Sequence, residues 1–259
     1  MPIRQTICYP IVKPEAMSLD ELCRHASEIG YAGIECWGRD ERFPEALEAA
    51  RRYGLTMVSM VGHGSIASGF NDVGQHDRIE AELRESIDLA AGHGIAGLIC
   101  FSGNRLRGQS DLEGLVACTR GLKRIAPCAE ERGVNLNIEL LNSRIDHPGY
   151  LCDRSDWGVA LCEAVGSPRV KLLYDIYHMQ IMEGDVIRHI RKAMPCVGHI
   201  HTAGNPGRHD MDDTQELNYR GICRAIAESG YELYVGHEFK PTGDPIAALR
   251  QAYEVCKGQ

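Results

Sequence analysis

Four short apolar runs in the second half of the chain each end in a side chain that can bind a cation or move a proton. Asn135-Leu-Asn-Ile-Glu139 ends in a carboxylate, and Lys171-Leu-Leu-Tyr-Asp175 ends in another, with His178 three residues on. Gly198-His-Ile-His201 carries two imidazoles at period two, which puts His199 and His201 on one face of a strand. Tyr234-Val-Gly-His-Glu238 supplies a third carboxylate, with His237 turned the other way. A carboxylate among apolar residues is costly unless it is paired or metal-bound. Taken singly, Asp175 reads equally well as a helix cap and His199 as a core histidine. Four such endings in succession point to one site, a divalent metal held by Glu139, Asp175, His201 and Glu238. Three carboxylates and one imidazole form a mostly hard donor set that suits Mn²⁺ or Mg²⁺ and also admits Co²⁺ or Zn²⁺. A structural zinc site would favour thiolates, and no cysteine is expected at these strand ends.

Strand ends converge in this way only if the strands lie side by side and parallel. Eight β-rich runs alternate with helical patterns: Arg4–Cys8, Gly33–Cys36, Thr56–Val61, Gly97–Phe101, Asn135–Leu141, Lys171–Asp175, Gly198–His201 and Leu233–Glu238. They are nearly continuous in apolar residues, as strands buried on both faces must be. Ser18-Leu-Asp-Glu21 is a capping box, and the helix it opens ends near Gly30. Further helices are expected over Phe43–Tyr53, Asp77–Ala91, Leu112–Glu131, Asp156–Val165, Asp185–Ala193, Tyr219–Ser229 and Pro245–Cys256, with Pro127 kinking or interrupting the fourth and Ser155 capping the fifth. Glycine follows six of these helices, a left-handed stop before the next strand. Eight β-then-α units predict a single-domain (β/α)8 TIM barrel over residues 1–259, with the chemistry at the C-terminal ends of its strands. A doubly wound sheet is the alternative, but no G-x-G-x-x-G follows the first strand.

Composition narrows the function. With 28 Lys plus Arg against 36 Asp plus Glu, the formal charge of −8 argues against nucleic acid and anionic membranes. No apolar run is long enough to span a bilayer, and Met1 to Pro10 show no leader pattern. The eleven cysteines are scattered and odd in number, with no C-x-x-C pair, so they read as reduced small hydrophobes in a cytoplasmic protein. A small molecule is the expected partner, and a homo-oligomer is left open.

The stretch Leu173-Tyr-Asp-Ile-Tyr-His-Met-Gln-Ile-Met-Glu-Gly-Asp185 resembles the strand-six signature of hydroxypyruvate isomerases, within the wider xylose isomerase-like barrel superfamily. Asn205-Pro-Gly-Arg-His209 with Glu216-Leu-Asn-Tyr219 is similar to their loop after strand seven, and Glu139-Leu-Leu-Asn142 to the end of their strand five. The resemblance covers nearly the whole chain. It implies that Glu139 and Glu238 are the proton donor and acceptor pair as well as metal ligands, and that His178 and Arg208 hold the substrate. One position departs: hydroxypyruvate isomerases tend to carry Gln where this chain has His201, whereas the ketose 3-epimerases of the same superfamily carry His. The superfamily's abasic-site endonucleases place an Asp-Arg-His triplet after strand seven, and here it reads Gly207-Arg208-His209.

The expected activity is therefore a metal-dependent isomerisation through an enediolate, hydroxypyruvate to tartronate semialdehyde or a related small keto-acid or keto-sugar. A cation would stabilise the oxyanion charge while two carboxylates remove and return a proton. Arg208 suits bidentate contact with a substrate carboxylate. Tyr9, Trp37, His63 and Phe101, just past strands one to four, are candidate pocket walls, with Trp37 and His63 as candidate substrate contacts. Glu35 is a further carboxylate at the end of strand two. A ketose 3-epimerase of the tagatose or psicose type is the main alternative. A lyase on oxidised sugars and a non-catalytic sugar-binding barrel stand behind it.

Overall fold

A computed structural model describes residues 3–258. Met1, Pro2 and Gln259 lie outside them, so the single-domain span 1–259 and the reading of Met1–Pro10 extend beyond the described residues. Eight parallel strands close into a barrel in chain order: β1 (Arg4–Cys8), β2 (Gly33–Glu35), β3 (Thr56–Val61), β4 (Gly97–Cys100), β5 (Asn135–Glu139), β6 (Val170–Asp175), β7 (Val197–Thr202) and β8 (Tyr234–His237). β1 pairs with both β2 and β8, so the sheet has no edge. Most strand residues are buried, since helices cover the outside and side chains fill the inside. All eight predicted strands are present. No helix among the described residues is long and apolar enough to cross a membrane.

Local chemistry explains most helix ends. Ser18 Oγ accepts from the Glu21 amide at 3.2 Å while Glu21 Oε2 accepts from the Ser18 amide at 3.0 Å, completing the capping box. A second box at Ser110 and Glu113 opens the helix Asp111–Arg132. That helix runs unbroken through Pro127 and stops at Gly133, whose φ of 72° is the left-handed turn glycine tolerates. The predicted cap Ser155 is instead the first residue of its helix, after Arg154. The carboxylate of Glu183 takes the Ser155 amide and hydroxyl at 3.0 and 3.1 Å, so a neighbouring element supplies the cap.

Register places the site. Between Leu172 and Leu173 the pairing of β6 with β7 jumps from Val197 to His199, a one-residue bulge at Gly198. The bulge sets Asp175 level with His201; without it Asp175 would face Ile200. A Cβ on Gly198 would come within 2.2 Å of Asn137 Oδ1, so the bulge needs glycine to clear the barrel interior.

Candidate metal centre and active site

Glu139, Asp175, His201 and Glu238 sit at the ends of β5 to β8, where the sequence placed them. One ligand atom from each lies within 4.8 Å of the others, and all four side chains are buried. Asp175 is both helix cap and site residue. Its Oδ1 accepts from the His178 amide at 3.2 Å, while Oδ2 lies 3.6 Å from Arg208 and 3.7 Å from His178 Nε2. His201 Nδ1 faces Glu238 Oε2 across 3.1 Å and Glu139 Oε1 across 4.0 Å, yet makes no well-aligned hydrogen bond. A buried imidazole nitrogen aimed into three buried carboxylates is the donor set a divalent cation requires, so the residues present fit a metal ion.

Without such a cation the protein neutralises the cluster with its own groups. Arg208 pairs with Glu238 through its guanidinium and donates Nε–H to the Glu238 carbonyl at 3.3 Å. Its backbone is in the left-handed region at φ 55°, a strained conformation for arginine that turns the side chain back over the barrel mouth. Trp37 Nε1 donates to Glu238 Oε1 at 2.8 Å. Burial alone would raise the pKa of Glu238, but Arg208 and His201 outweigh it and hold the carboxyl well below its ordinary range. Glu139 goes the other way: burial, then the charge of Glu238, pushes it up to about 8. Burial opposes the charged form of His201, yet Glu238 and Glu35 raise it well above the ordinary histidine value.

The other predicted residues divide. Arg208 and Trp37 line a cavity of about 480 Å³ over the cluster, together with Val61, Ile99, Phe101 and Leu141. Trp37 is 46% exposed, so it is a wall at the mouth and also a hydrogen-bond donor to Glu238. His63 lines the same cavity, but its polar atoms are already engaged. Its ring is buried edge-on to Phe70 and Phe101, and Nε2 accepts from the Phe101 amide at 3.0 Å. Burial pushes it down to about 4, which keeps it neutral. His178 is fully buried beside Asp175 and does not line the cavity. Asn142 donates to its Nδ1 at 2.6 Å, which leaves an Nε2–H without a hydrogen-bond partner. Tyr9 is not among the cavity walls.

Two further side chains join the cluster: Cys8, which the sequence marks only as a core residue, and Glu35, which it marks as a strand-end carboxylate without its partners. Cys8 ends β1 with its Sγ 3.8 Å from Glu238 Oε1, so a thiol stands beside the cluster on a strand other than the four that supply it. Burial keeps that thiol protonated, which makes it a weak donor to Glu238. Glu35 lies beneath the cluster, where Oε2 accepts from both His199 and His201 at 2.9 Å. Strand alternation carried a clue: Thr6 and Cys8 share a face of β1, so a thiol at Cys8 points inward whenever Thr6 does.

Residues 23–258 match the family described as xylose isomerase-like TIM barrel. A 2-oxo-tetronate isomerase of Cupriavidus necator is 37% identical over 158 residues, 61% of this chain and 57% of its own. The hydroxypyruvate isomerase of Escherichia coli K12 is 29% identical over 232 residues, covering 87% of this chain and 89% of its own. Among solved structures, an AP endonuclease, family 2, from Brucella melitensis superposes with a TM-score of 0.81 at 24% identity, over 96% of this chain and 97% of that one.

Proposed function

The chain belongs to the xylose isomerase-like TIM barrel family, and from that premise we propose that it is a divalent-cation-dependent isomerase of small 3-hydroxy-2-oxo acids. Hydroxypyruvate, converted to tartronate semialdehyde, is the first substrate. The observation that carries this reading is the pair Glu139 and Glu238, at the ends of β5 and β8, both buried and both members of one cluster whose donors suit a cation. One glutamate removes a proton from C3, the enediolate forms, and the other delivers a proton to C2 while the hydroxyl proton passes from O3 to O2. A bound cation, Mn²⁺ or Mg²⁺ before Co²⁺ or Zn²⁺, supplies Lewis-acid stabilisation of the oxyanion charge. Arg208 meets the substrate carboxylate, and His178, buried outside the cavity, backs Asp175.

The cavity favours an acid over a sugar. Apolar Val61, Ile66, Ile99, Phe101 and Leu141 make up much of the wall beside the polar Ser65 and His147, and the Arg208 guanidinium, already paired with Glu238, keeps further N–H donors for a carboxylate. The volume leaves room for an acid one or two carbons longer, as the name of the 2-oxo-tetronate isomerase relative suggests. The ketose 3-epimerase reading rests on His201, the position where the chain departs from the hydroxypyruvate isomerase pattern. Incubation in D₂O separates the two. Deuterium should enter hydroxypyruvate at C3 or its product at C2; label only at C3 of a ketose such as fructose overturns the isomerase. An endonuclease reading lacks support at Gly207, where the triplet's carboxylate is missing. The eleven unpaired thiols favour a reducing, cytoplasmic setting.

Cation affinity should also depend on pH. In the cation-free protein Glu139 holds its proton up to about pH 8, and His201 is raised as well. A cation must displace these protons, so affinity is expected to rise about tenfold per pH unit for each proton released. Titrations at pH 6, 7 and 8 check this, and an affinity flat across that range contradicts it.

A further inference from the structure

Resting on the cation-site reading above, we propose that Glu35 is a positioning residue that fixes the Nε2–H tautomer of His201 and so presents its Nδ1 lone pair to Glu139, Asp175 and Glu238. Glu35 ends β2, and β7 lies across the barrel with β1 and β8 between them. Its carboxylate reaches β7 because Gly236 stands at the intervening level of β8. A Cβ there would come within 2.0 Å of Glu35 Oε1 and 3.0 Å of His201 Cδ2. Thr6, paired in register with Gly236, donates its hydroxyl to the same Oε1. The free oxygen, Oε2, then sits 2.9 Å from Nε2 of both His199 and His201.

An ionised carboxylate only accepts, so each imidazole must place a hydrogen on Nε2. Neutral His201 then has its lone pair on Nδ1, the nitrogen 3.1 Å from Glu238 and 4.0 Å from Glu139. Without Glu35 the ring could carry its hydrogen on Nδ1 instead, and a fully buried N–H would point at the cation position. Glu35 is itself buried and does not line the cavity, so it acts through His201 and touches no substrate. His199 shares Oε2, and its ring packs edge-on against His201 with centroids 5.0 Å apart, which limits rotation of both.

Two measurements test this. Nitrogen-15 NMR of the Zn²⁺-loaded protein should show His201 with hydrogen on Nε2 and metal on Nδ1. Mn²⁺ titration of chelator-stripped protein, read by electron paramagnetic resonance, should show Glu35→Ala binding about 10- to 100-fold more weakly than wild type. Glu35→Gln keeps a carbonyl acceptor for His201 and turns its amide towards Thr6, and it should recover most of the affinity. His199→Phe breaks the same buried cluster but should bind Mn²⁺ within about twofold of wild type. An Nδ1–H tautomer in the wild type, or a folded Glu35→Ala with wild-type affinity, overturns the proposal. If Glu35→Ala does not fold, the wild-type tautomer and the Glu35→Gln affinity decide. A wild type that binds no divalent cation overturns the cation-site reading, and this proposal falls with it. A wild type that binds equally with and without Glu35 overturns only the role of Glu35.

Discussion

Glu139→Gln and Glu238→Gln are each expected to lower turnover of hydroxypyruvate by roughly 10³-fold, within the range a single general acid or base contributes. Both should also stop deuterium exchange at carbon. The two differ in what they do to the cation-free protein. Glu139 is pushed up to about 8 by burial and by Glu238, so near neutral pH it is already uncharged, and glutamine is close to an isostere. Glu139→Gln should therefore match the stripped wild type near pH 4 and be the more stable of the two at pH 7, where folding the wild type must protonate a carboxyl that is ionised in the unfolded chain. The sign of the linkage adds a second check. A raised carboxyl stabilises the fold below the unfolded value near 4.3, and that contribution is lost as pH climbs through about 8. The stripped wild type should lose stability over this window, and Glu139→Gln should lack that slope. Glu238 is ionised and pairs with Arg208, His201 and Trp37. Glu238→Gln leaves the cations Arg208 and His201 without their counter-charge, and the cost for breaking such a buried pair is about 3–5 kcal/mol. Steady-state kinetics with paired denaturant melts read both effects. Retained turnover in either variant removes that glutamate from the proton-transfer pair.

The strands and the four-residue cluster were legible because both follow from one-dimensional rules. Continuous apolar runs mark strands buried on both faces, and a polar residue ending such a run must be accounted for. The same rules place Glu35 at a strand end, but its partners lie across the barrel. No local pattern announces that Gly236 leaves a gap for its side chain. The bulge at Gly198 was hidden for the same reason, since it exists only as a mismatch between two strands. The sequence places His63 just past strand three as a candidate substrate contact. The aromatic clamp of Phe70 and Phe101 that buries it comes from chain segments seven and thirty-eight residues away. Ser155 does not cap because its helix begins one residue earlier than expected, and its own amide and hydroxyl donate to Glu183, from another unit. In each case the sequence marks the residue, and tertiary contact chooses its partner.

Removal of the cation should have the other large effect, because the same four residues govern both stability and turnover. Glu139, Asp175 and Glu238 crowd three carboxylates into a buried site, and in the cation-free state only Arg208 and His201 offset them. Burial raises Asp175 despite the opposing charges of Arg208 and His201, so the bare cluster is not fully compensated. A cation that binds only the folded chain, present at about a thousand times its Kd, stabilises by about 4 kcal/mol. For a chain of this size that corresponds to a fall of roughly 10 °C in Tm on stripping with a chelator. Turnover should drop below about 1% of the loaded protein, in line with losses from removing the main oxyanion stabiliser, and should return when Mn²⁺ or Mg²⁺ is restored. Full activity in a preparation shown by elemental analysis to be metal-free would sink the Lewis-acid role. Asp175→Asn distinguishes holding the cation from moving the proton. Asp175 caps a helix and faces Arg208 and His178, and in this reading it holds the cation without moving a proton. Its loss should be largely recovered by raising the cation concentration, whereas no concentration of cation restores Glu139→Gln.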